Sequence, residues 1–349
     1  MMLTYLFFAI IFLIGLASSF MLVPLARRFG FRYGFVDHPR PGEVQSTPVA
    51  RTGGYAIFAA FLAATMVSLV LFDRFPAEYP RIVGLLLGGV LVLPIAFVDD
   101  LKRLGPLPQL VGQIVIAAIP IAFGILLDNV ANPFGGIILL PYYLALPLTL
   151  FWFVGMINTL NFLDTMDGLA GGITGIAAVI IFLRAVDLGQ NSIAVLALAL
   201  AAACFGFLPY NLHPARVFMG TSGSMFLGYA LAILGIIGGA KVATILMVLS
   251  IPILDTALVI ARRTFSGRSP FKGGDAAHLP HRMLAIGLPQ STIAFLLYAL
   301  CLILGYFALA LSPVHKLYAF GGMALALAGA IVLIARRTRT TEYTEGTES

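Results

Sequence analysis

The chain predicts an all-α integral membrane protein of about eleven transmembrane helices, and three observations carry that prediction. Its 349 residues are 60% hydrophobic and 10% charged, with a mean hydropathy of +1.01, whereas soluble domains are about half apolar and about a quarter charged. Apolar runs long enough to cross a bilayer recur along most of its length. The few charges gather in the short segments between those runs.

A span needs roughly 20 mainly apolar residues to cross about 30 Å of hydrocarbon. Runs of that kind fall near 3–23, 53–72, 80–98, 107–127, 138–157, 169–187, 191–210, 222–239, 242–261, 290–311 and 317–335. The first run has no basic segment before it and no small-residue cleavage site followed by a soluble domain, so it reads as a retained span and not a signal peptide. Residues 1–337 are therefore expected to form one polytopic domain. Residues 338–349, polar and rich in Thr and Glu, are expected to be a disordered cytoplasmic tail.

Positive loops stay in the cytoplasm. With the N-terminus outside and the C-terminus cytoplasmic, the inner segments hold about 16 of the 21 lysines and arginines. The two long inner segments, roughly 24–52 and 262–289, mix Pro, Gly and Arg. The net charge of +6 follows from this topology and from attraction to anionic membrane lipids, with no nucleic-acid partner implied. Cys204 and Cys301 fall in mid-span apolar runs and read as small core residues without disulfide or metal.

Five aspartates, Asp99, Asp100, Asp164, Asp167 and Asp255, lie where apolar runs meet polar segments on the inner side. Carboxylates at such boundaries call for a cation or a charged substrate, and together they suggest a magnesium and phosphate site. Asp99 and Asp100 point about 100° apart on a helix, so they are expected to have different tasks. Alone, that doublet is a weak signal, with a solvated helix end paired with Lys102 and Arg103 as the alternative.

The stretch from Asn158 to Gly172 is more specific. Asn158 with Asn161, and Asp164 with Asp167, are pairs three residues apart, each sharing a helix face. A straight helix would turn the second pair away from the first, so the chain must bend for all four to converge. Gly168, Gly171 and Gly172 supply freedom and close approach just beyond. Asp255 sits within an apolar helix ending at Arg262 and Arg263, where a lone carboxylate needs a metal or a basic partner. His278, His281 and Arg282 follow in a basic segment. They suit a phosphate or pyrophosphate grip better than zinc, with a plain structural turn as the alternative.

These motifs, in this order, resemble the polyprenyl-phosphate N-acetylhexosamine-1-phosphate transferase family. The residues that carry the likeness are Asp99-Asp100, Asn158 to Gly172, Pro252-Ile253-Leu254-Asp255-Thr256 and His278-Leu279-Pro280-His281-Arg282. Asp37-His38-Pro39 and Arg51-Thr52-Gly53-Gly54 resemble the first cytoplasmic loop, and Gly220-Thr221-Ser222-Gly223-Ser224 a later glycine motif. The likeness spans roughly residues 35–285, and the His-rich loop points to the hexosamine branch.

The resemblance implies transfer of a sugar 1-phosphate from a UDP-sugar to polyprenyl phosphate, with release of UMP, at the cytoplasmic face of a bacterial inner membrane. It implies Mg²⁺, with Mn²⁺ as a substitute, held by Asp100, Asp164 and Asp255. Asp99 would assist the attacking lipid phosphate. Asn158, Asn161, Asp164 and Asp167 would bind the nucleotide, and His278, His281 and Arg282 the sugar diphosphate, with Arg51 as a further substrate contact. A homodimer is a further expectation, with the small-residue run Ala201 to Cys204 as its helix contact.

The chain also departs from the family pattern. Glu43-Val44-Gln45 stands where a Lys-x-His step is usual, Gln109 replaces a lysine, Thr165 a glycine, Pro280 the middle histidine, and Thr221 the acid of Gly-Asp-x-Gly-Ser. A hydroxyl does not replace a carboxylate's charge near a divalent ion. Three readings stay open: retained chemistry on an altered substrate, a weakened or silent homologue acting as a binding or scaffold protein, and an engineered change at Thr221. A transporter fits less well, since its ionisable residues should lie near mid-membrane.

Overall fold

The computed structural model describes residues 2–39, 47–102, 104–132, 136–237, 241–267, 278–312, 314–316, 318–326 and 329. The tail 338–349 and much of the run expected at 317–335 lie outside these residues, as does Glu43-Val44-Gln45. The helices are α1 (Met2–Tyr33), α2 (Gly53–Leu71), α3 (Glu78–Lys102), α4 (Pro106–Ala122), α5 (Tyr142–Leu163), α6 (Leu169–Asp187), α7 (Asn191–Asn211), α8 (Gly220–Ile237), α9 (Lys241–Val248), α10 (Ser250–Phe265), α11 (Leu279–Ala285) and α12 (Gln290–Ala310). Two short antiparallel pairs accompany them, β1 (Val36–Asp37) with β2 (Val49–Ala50), and β3 (Asn129–Ala131) with β4 (Ile137–Leu139).

The all-α membrane class is as the composition predicts. Among the described residues, 8 helices are long and apolar enough to span a bilayer, or 9 if a bent pair counts as one span. Two expected spans are built differently. The run 107–127 yields only α4, whose 17 residues reach roughly 26 Å at 1.5 Å per residue. The run 242–261 is broken at Leu249 into α9 and α10, with an 81° bend.

The break has a local cause. Pro252 has no N–H to return to the carbonyl four residues earlier, and that carbonyl, on Val248, accepts instead from the Cys301 thiol at 3.5 Å. Ser250 Oγ donates to Met247 O at 2.8 Å. Side chains thus satisfy backbone groups that a kinked apolar helix would leave bare in lipid. The other cysteine, Cys204, is buried and also free.

Helix α8 forms the centre: 89% of its apolar window is buried, against 28% for α1, so α1 faces lipid and α8 faces protein. Ala201, Ala202, Ala203 and Cys204 are fully buried within this chain. A side chain added at Gly15 of α1 would come within 2.8 Å of Ala202 Cβ. The small residues expected to form a dimer contact instead let α1 and α7 approach each other, so that run is no free surface for a second copy.

A similar close approach joins α2 to α8. A Cβ on Gly54 would lie 2.1 Å from Gly223 N and 2.4 Å from Gly223 Cα, and backbone cannot step aside as a side-chain tip can. The Gly53 and Gly54 amides donate to Phe218 O and Met219 O at 3.0 and 2.9 Å, satisfying helix-start donors that otherwise lack partners. Gly54→Ala is expected to destabilise the fold by about 3 kcal/mol, at the upper end of overpacking costs. Thermal unfolding in detergent checks this, and a melting temperature equal to that of the wild type would contradict it.

Candidate active site

The fold brings four segments together around Asp100. The C-terminal end of α3 supplies Asp99 and Asp100, the strand-to-helix step before α2 supplies Arg51, and the first turn of α8 supplies Thr221 and Ser224. The end of α5 supplies Asn161 and Asp164. Backbone pairing fixes Arg51 here: Arg51 N donates to Phe35 O at 3.0 Å, Phe218 N to Ala50 O at 2.8 Å, and Ala50 bridges Val217.

One oxygen of Asp100 collects three donors. Thr221 Oγ donates to Asp100 Oδ1 at 2.9 Å, Arg51 Nη2 lies 3.2 Å away, and the Thr221 amide 3.4 Å away. Asp99 Oδ2 accepts from Gln109 Nε2 at 3.4 Å, and Thr221 and Arg51 act on its carboxyl as well. The two adjacent carboxylates share Thr221 and Arg51, and Asp99 adds a partner on α4.

The bend expected after Asn161 is present. Asp164 caps α5 with backbone angles φ −77° and ψ 47°, and Gly168 opens α6 at φ +77°, a left-handed conformation that glycine adopts without strain. Gly168 N donates to Asn211 Oδ1 at 3.1 Å and its carbonyl accepts from Tyr298 Oη at 2.6 Å. Desolvation by the surrounding protein raises the Asp164 carboxyl to about 7; Arg51 pulls it down, while Asp100 and Asp167 push it further up.

The two asparagines diverge. Asn161 Oδ1 accepts from Ser224 Oγ at 2.9 Å, on the Asp100 side. Asn158 instead exchanges hydrogen bonds with Gln113 of α4, at 2.7 and 3.2 Å. Asp167 Oδ2 meets His213 Nδ1 at 2.8 Å and the Ala215 amide at 3.1 Å. His213, Gln113 and Tyr298 were not singled out by the sequence, whereas Ser224 belongs to the glycine motif it offered. A usable signal for the first was the polar pair Asn211 and His213 directly beyond a span.

Asp255 belongs to a second group. Its Oδ2 meets His278 Nδ1 at 2.7 Å and its Oδ1 accepts from Leu279 N at 2.9 Å. It is 5% exposed, and the basic partner that a buried carboxylate requires is His278. Burial, and next the neighbouring His278, lower the His281 pKa, with Asp255 acting the other way. Arg282 follows on the same short helix. Phe162, one residue past Asn161, lies 5.5 Å from the His278 ring, so the end of α5 stands between the two groups.

Among the described residues no three His, Cys, Asp or Glu side chains converge as a metal site. Of the expected trio, Asp255 Oδ2 meets His278 Nδ1 and its Oδ1 accepts from Leu279 N, while Asp100 and Asp164 share a neighbourhood. That pair suits a hydrated divalent ion, which needs only one or two protein carboxylates when substrate phosphates complete its shell. Burial disfavours the charged form of Asp164 and the Asp100 and Asp167 carboxylates add to that cost; a cation would relieve both.

The chain is similar to known proteins. The sequence model of glycosyl transferase family 4 matches residues 82–239, from early α3 to just past α8. A Bacillus subtilis protein named "Probable undecaprenyl-phosphate N-acetylglucosaminyl 1-phosphate transferase" is 30% identical over 86% of this chain and 84% of its own length. A Mycobacterium tuberculosis decaprenyl-phosphate N-acetylglucosaminephosphotransferase is 33% identical over 78% of this chain and 74% of its own. A Bacillus mycoides phospho-N-acetylmuramoyl-pentapeptide-transferase is 30% identical over 68% of this chain and 79% of its own.

Proposed function

Because this chain belongs to glycosyl transferase family 4, we propose that it is a membrane transferase moving an N-acetylhexosamine 1-phosphate from a UDP-sugar to polyprenyl phosphate. An oxygen of the lipid phosphate attacks the phosphorus that carries the sugar. A new P–O bond forms there, the diphosphate bond to uridine breaks, and UMP leaves. The product, a lipid diphosphate sugar, would start a cell-envelope glycan. The inner-facing site in a bacterial plasma membrane is supported by the bias of Lys and Arg to the same loops.

The observation that carries the reading is the acidic group around Asp100 and Asp164, closed by Arg51. Phosphoryl transfer needs charge neutralisation and positioning more than covalent help from the protein. Asp100 and Asp164 would hold Mg²⁺ or Mn²⁺, whose chemistry is to neutralise diphosphate oxygens as charge shifts between them. Arg51 adds a permanent positive charge beside the same phosphates. Asp99, oriented by Gln109, would take the proton of the lipid phosphate. Asn161 and Asp167 order the nucleotide side, and Asn158 reaches it once released from Gln113. His281 and Arg282 hold the sugar diphosphate, while Asp255 positions His278.

The test is UMP release by purified protein given polyprenyl phosphate, Mg²⁺ and a panel of UDP-sugars, with the mass of the lipid product identifying the sugar. A UDP-N-acetylhexosamine is expected to react fastest, and EDTA to stop the reaction. Absence of UMP with every donor at millimolar Mg²⁺ would remove the proposal.

A second reading, a homologue that binds these substrates without turnover, is favoured by one observation. Thr221 places a hydroxyl against Asp100, where the family pattern puts a carboxylate.

A further inference from the structure

A basic cavity stands apart from the acidic site. It holds about 210 Å³ and is lined by Pro24, Arg27 and Arg28 of α1, Tyr210 of α7, and Arg216 of the segment that follows α7. All three arginines are exposed. Among the described residues none of them pairs with a carboxylate; Arg27 lies over the Phe31 ring at 5.3 Å. The cavity is built rather than incidental. Tyr210 Oη donates to Phe20 O at 3.1 Å, and Arg216 N donates back to Tyr210 O at 2.8 Å. Three uncompensated guanidiniums around one space suit a phosphate ester, which each can meet with paired N–H donors.

We propose that this cavity binds the headgroup of an anionic phospholipid. The shared chemistry with free phosphate is the phosphate group, but the setting selects a lipid. Helix α1 has 32 residues, about 48 Å at 1.5 Å per residue, so its last turns extend beyond about 30 Å of hydrocarbon. Directly before Arg27 it exposes Phe20, Met21 and Leu25, at 48%, 70% and 55%. An acyl chain lying on that face places its phosphate beside the arginines, as basic pockets between membrane helices do with acidic lipids. The cavity lies at the same end of the bundle as the acidic site. The segment carrying Arg216 also contacts Asp167 through His213 and Ala215, so a bound headgroup would brace that segment. The inference stands independently of the transferase reading.

The experiment measures lipid binding to the full chain in detergent by native mass spectrometry and thermal shift, using short-chain phosphatidylglycerol, phosphatidylcholine of equal chain length, and inorganic phosphate. Phosphatidylglycerol is expected to bind and raise the melting temperature while the other two do not. The triple variant Arg27→Gln, Arg28→Gln, Arg216→Gln should lose on the order of a hundredfold in affinity, from about 1 kcal/mol for each basic residue at an anionic lipid surface. Arg32→Gln, outside the cavity, should cost no more than about fivefold, the general contribution of one basic residue at an anionic surface. Equal binding of the two lipids to the wild-type protein would overturn the proposal even if the triple variant failed to fold. So would an equal shift with inorganic phosphate, or stoichiometric displacement of phosphatidylglycerol by polyprenyl phosphate, which would make the cavity the acceptor's own site.

Discussion

Asp100→Asn is expected to lower sugar-phosphate transfer by roughly a thousandfold, the scale seen when one preorganised electrostatic contact to the transition state is lost. The change is nearly isosteric and keeps an oxygen to accept from Thr221 Oγ, now 2.9 Å from Asp100 Oδ1. What it removes is charge. Arg51, 3.2 Å from the same oxygen, loses its counter-ion, and Asp164 becomes the sole carboxylate of the proposed metal pair. The Arg51 side chain is 32% exposed, so water can solvate it, and the stability cost should be nearer 1 kcal/mol than the 3–5 kcal/mol of breaking a fully buried pair. UMP release and thermal unfolding, measured on the same preparation, separate the two effects. Activity within tenfold of the wild type, in a folded variant, would take Asp100 out of the site.

How far the sequence carried the structure depends on which physical constraint acted where. Spans were legible because hydrocarbon thickness imposes a length on any helix that crosses it, and the uninterrupted apolar runs of α2, α6, α7 and α12 meet that length. The break at Leu249 was not legible, because the residues on either side are as apolar as those of a straight helix; the clue was Pro252, whose missing donor is rescued by Cys301 from another helix. The five aspartates were legible because charge at a membrane boundary is costly without a reason. Their grouping was not. Asp255 and His278 are 23 positions apart, and nothing in their spacing says that the histidine faces the carboxylate and not a substrate. Asn158 was paired with Asn161 by helical spacing, yet Gln113 on a neighbouring helix claims it. Periodicity reports which residues share a face of one helix, not what the neighbouring helix offers them.

Thr221→Asp is the second large effect, and its sign depends on the ion. With chelator present, the variant loses the hydroxyl donor to Asp100 and adds a further acid to a neighbourhood where the Asp164 carboxyl already stands at about 7. Two unit charges about 4 Å apart at an effective dielectric near 20 repel by about 4 kcal/mol. Arg51 offsets part of that, so the variant should unfold at lower temperature than the wild type in EDTA. With Mg²⁺ the order should reverse, because a third carboxylate tightens the site, and ligand at about 100 times its dissociation constant returns about 2.7 kcal/mol of stability. The Mg²⁺ concentration for half-maximal protection should fall at least tenfold, by the same electrostatics, and transfer at low Mg²⁺ should rise with it. Melting curves and UMP release across a Mg²⁺ titration read both changes. A variant that is less stable at every Mg²⁺ concentration would mean that no ion sits beside Asp100, and the hydroxyl of Thr221 would then be a structural latch on that carboxylate. If instead protection tightens and turnover stays absent, the ion site is real and the chain binds its substrates without turning them over.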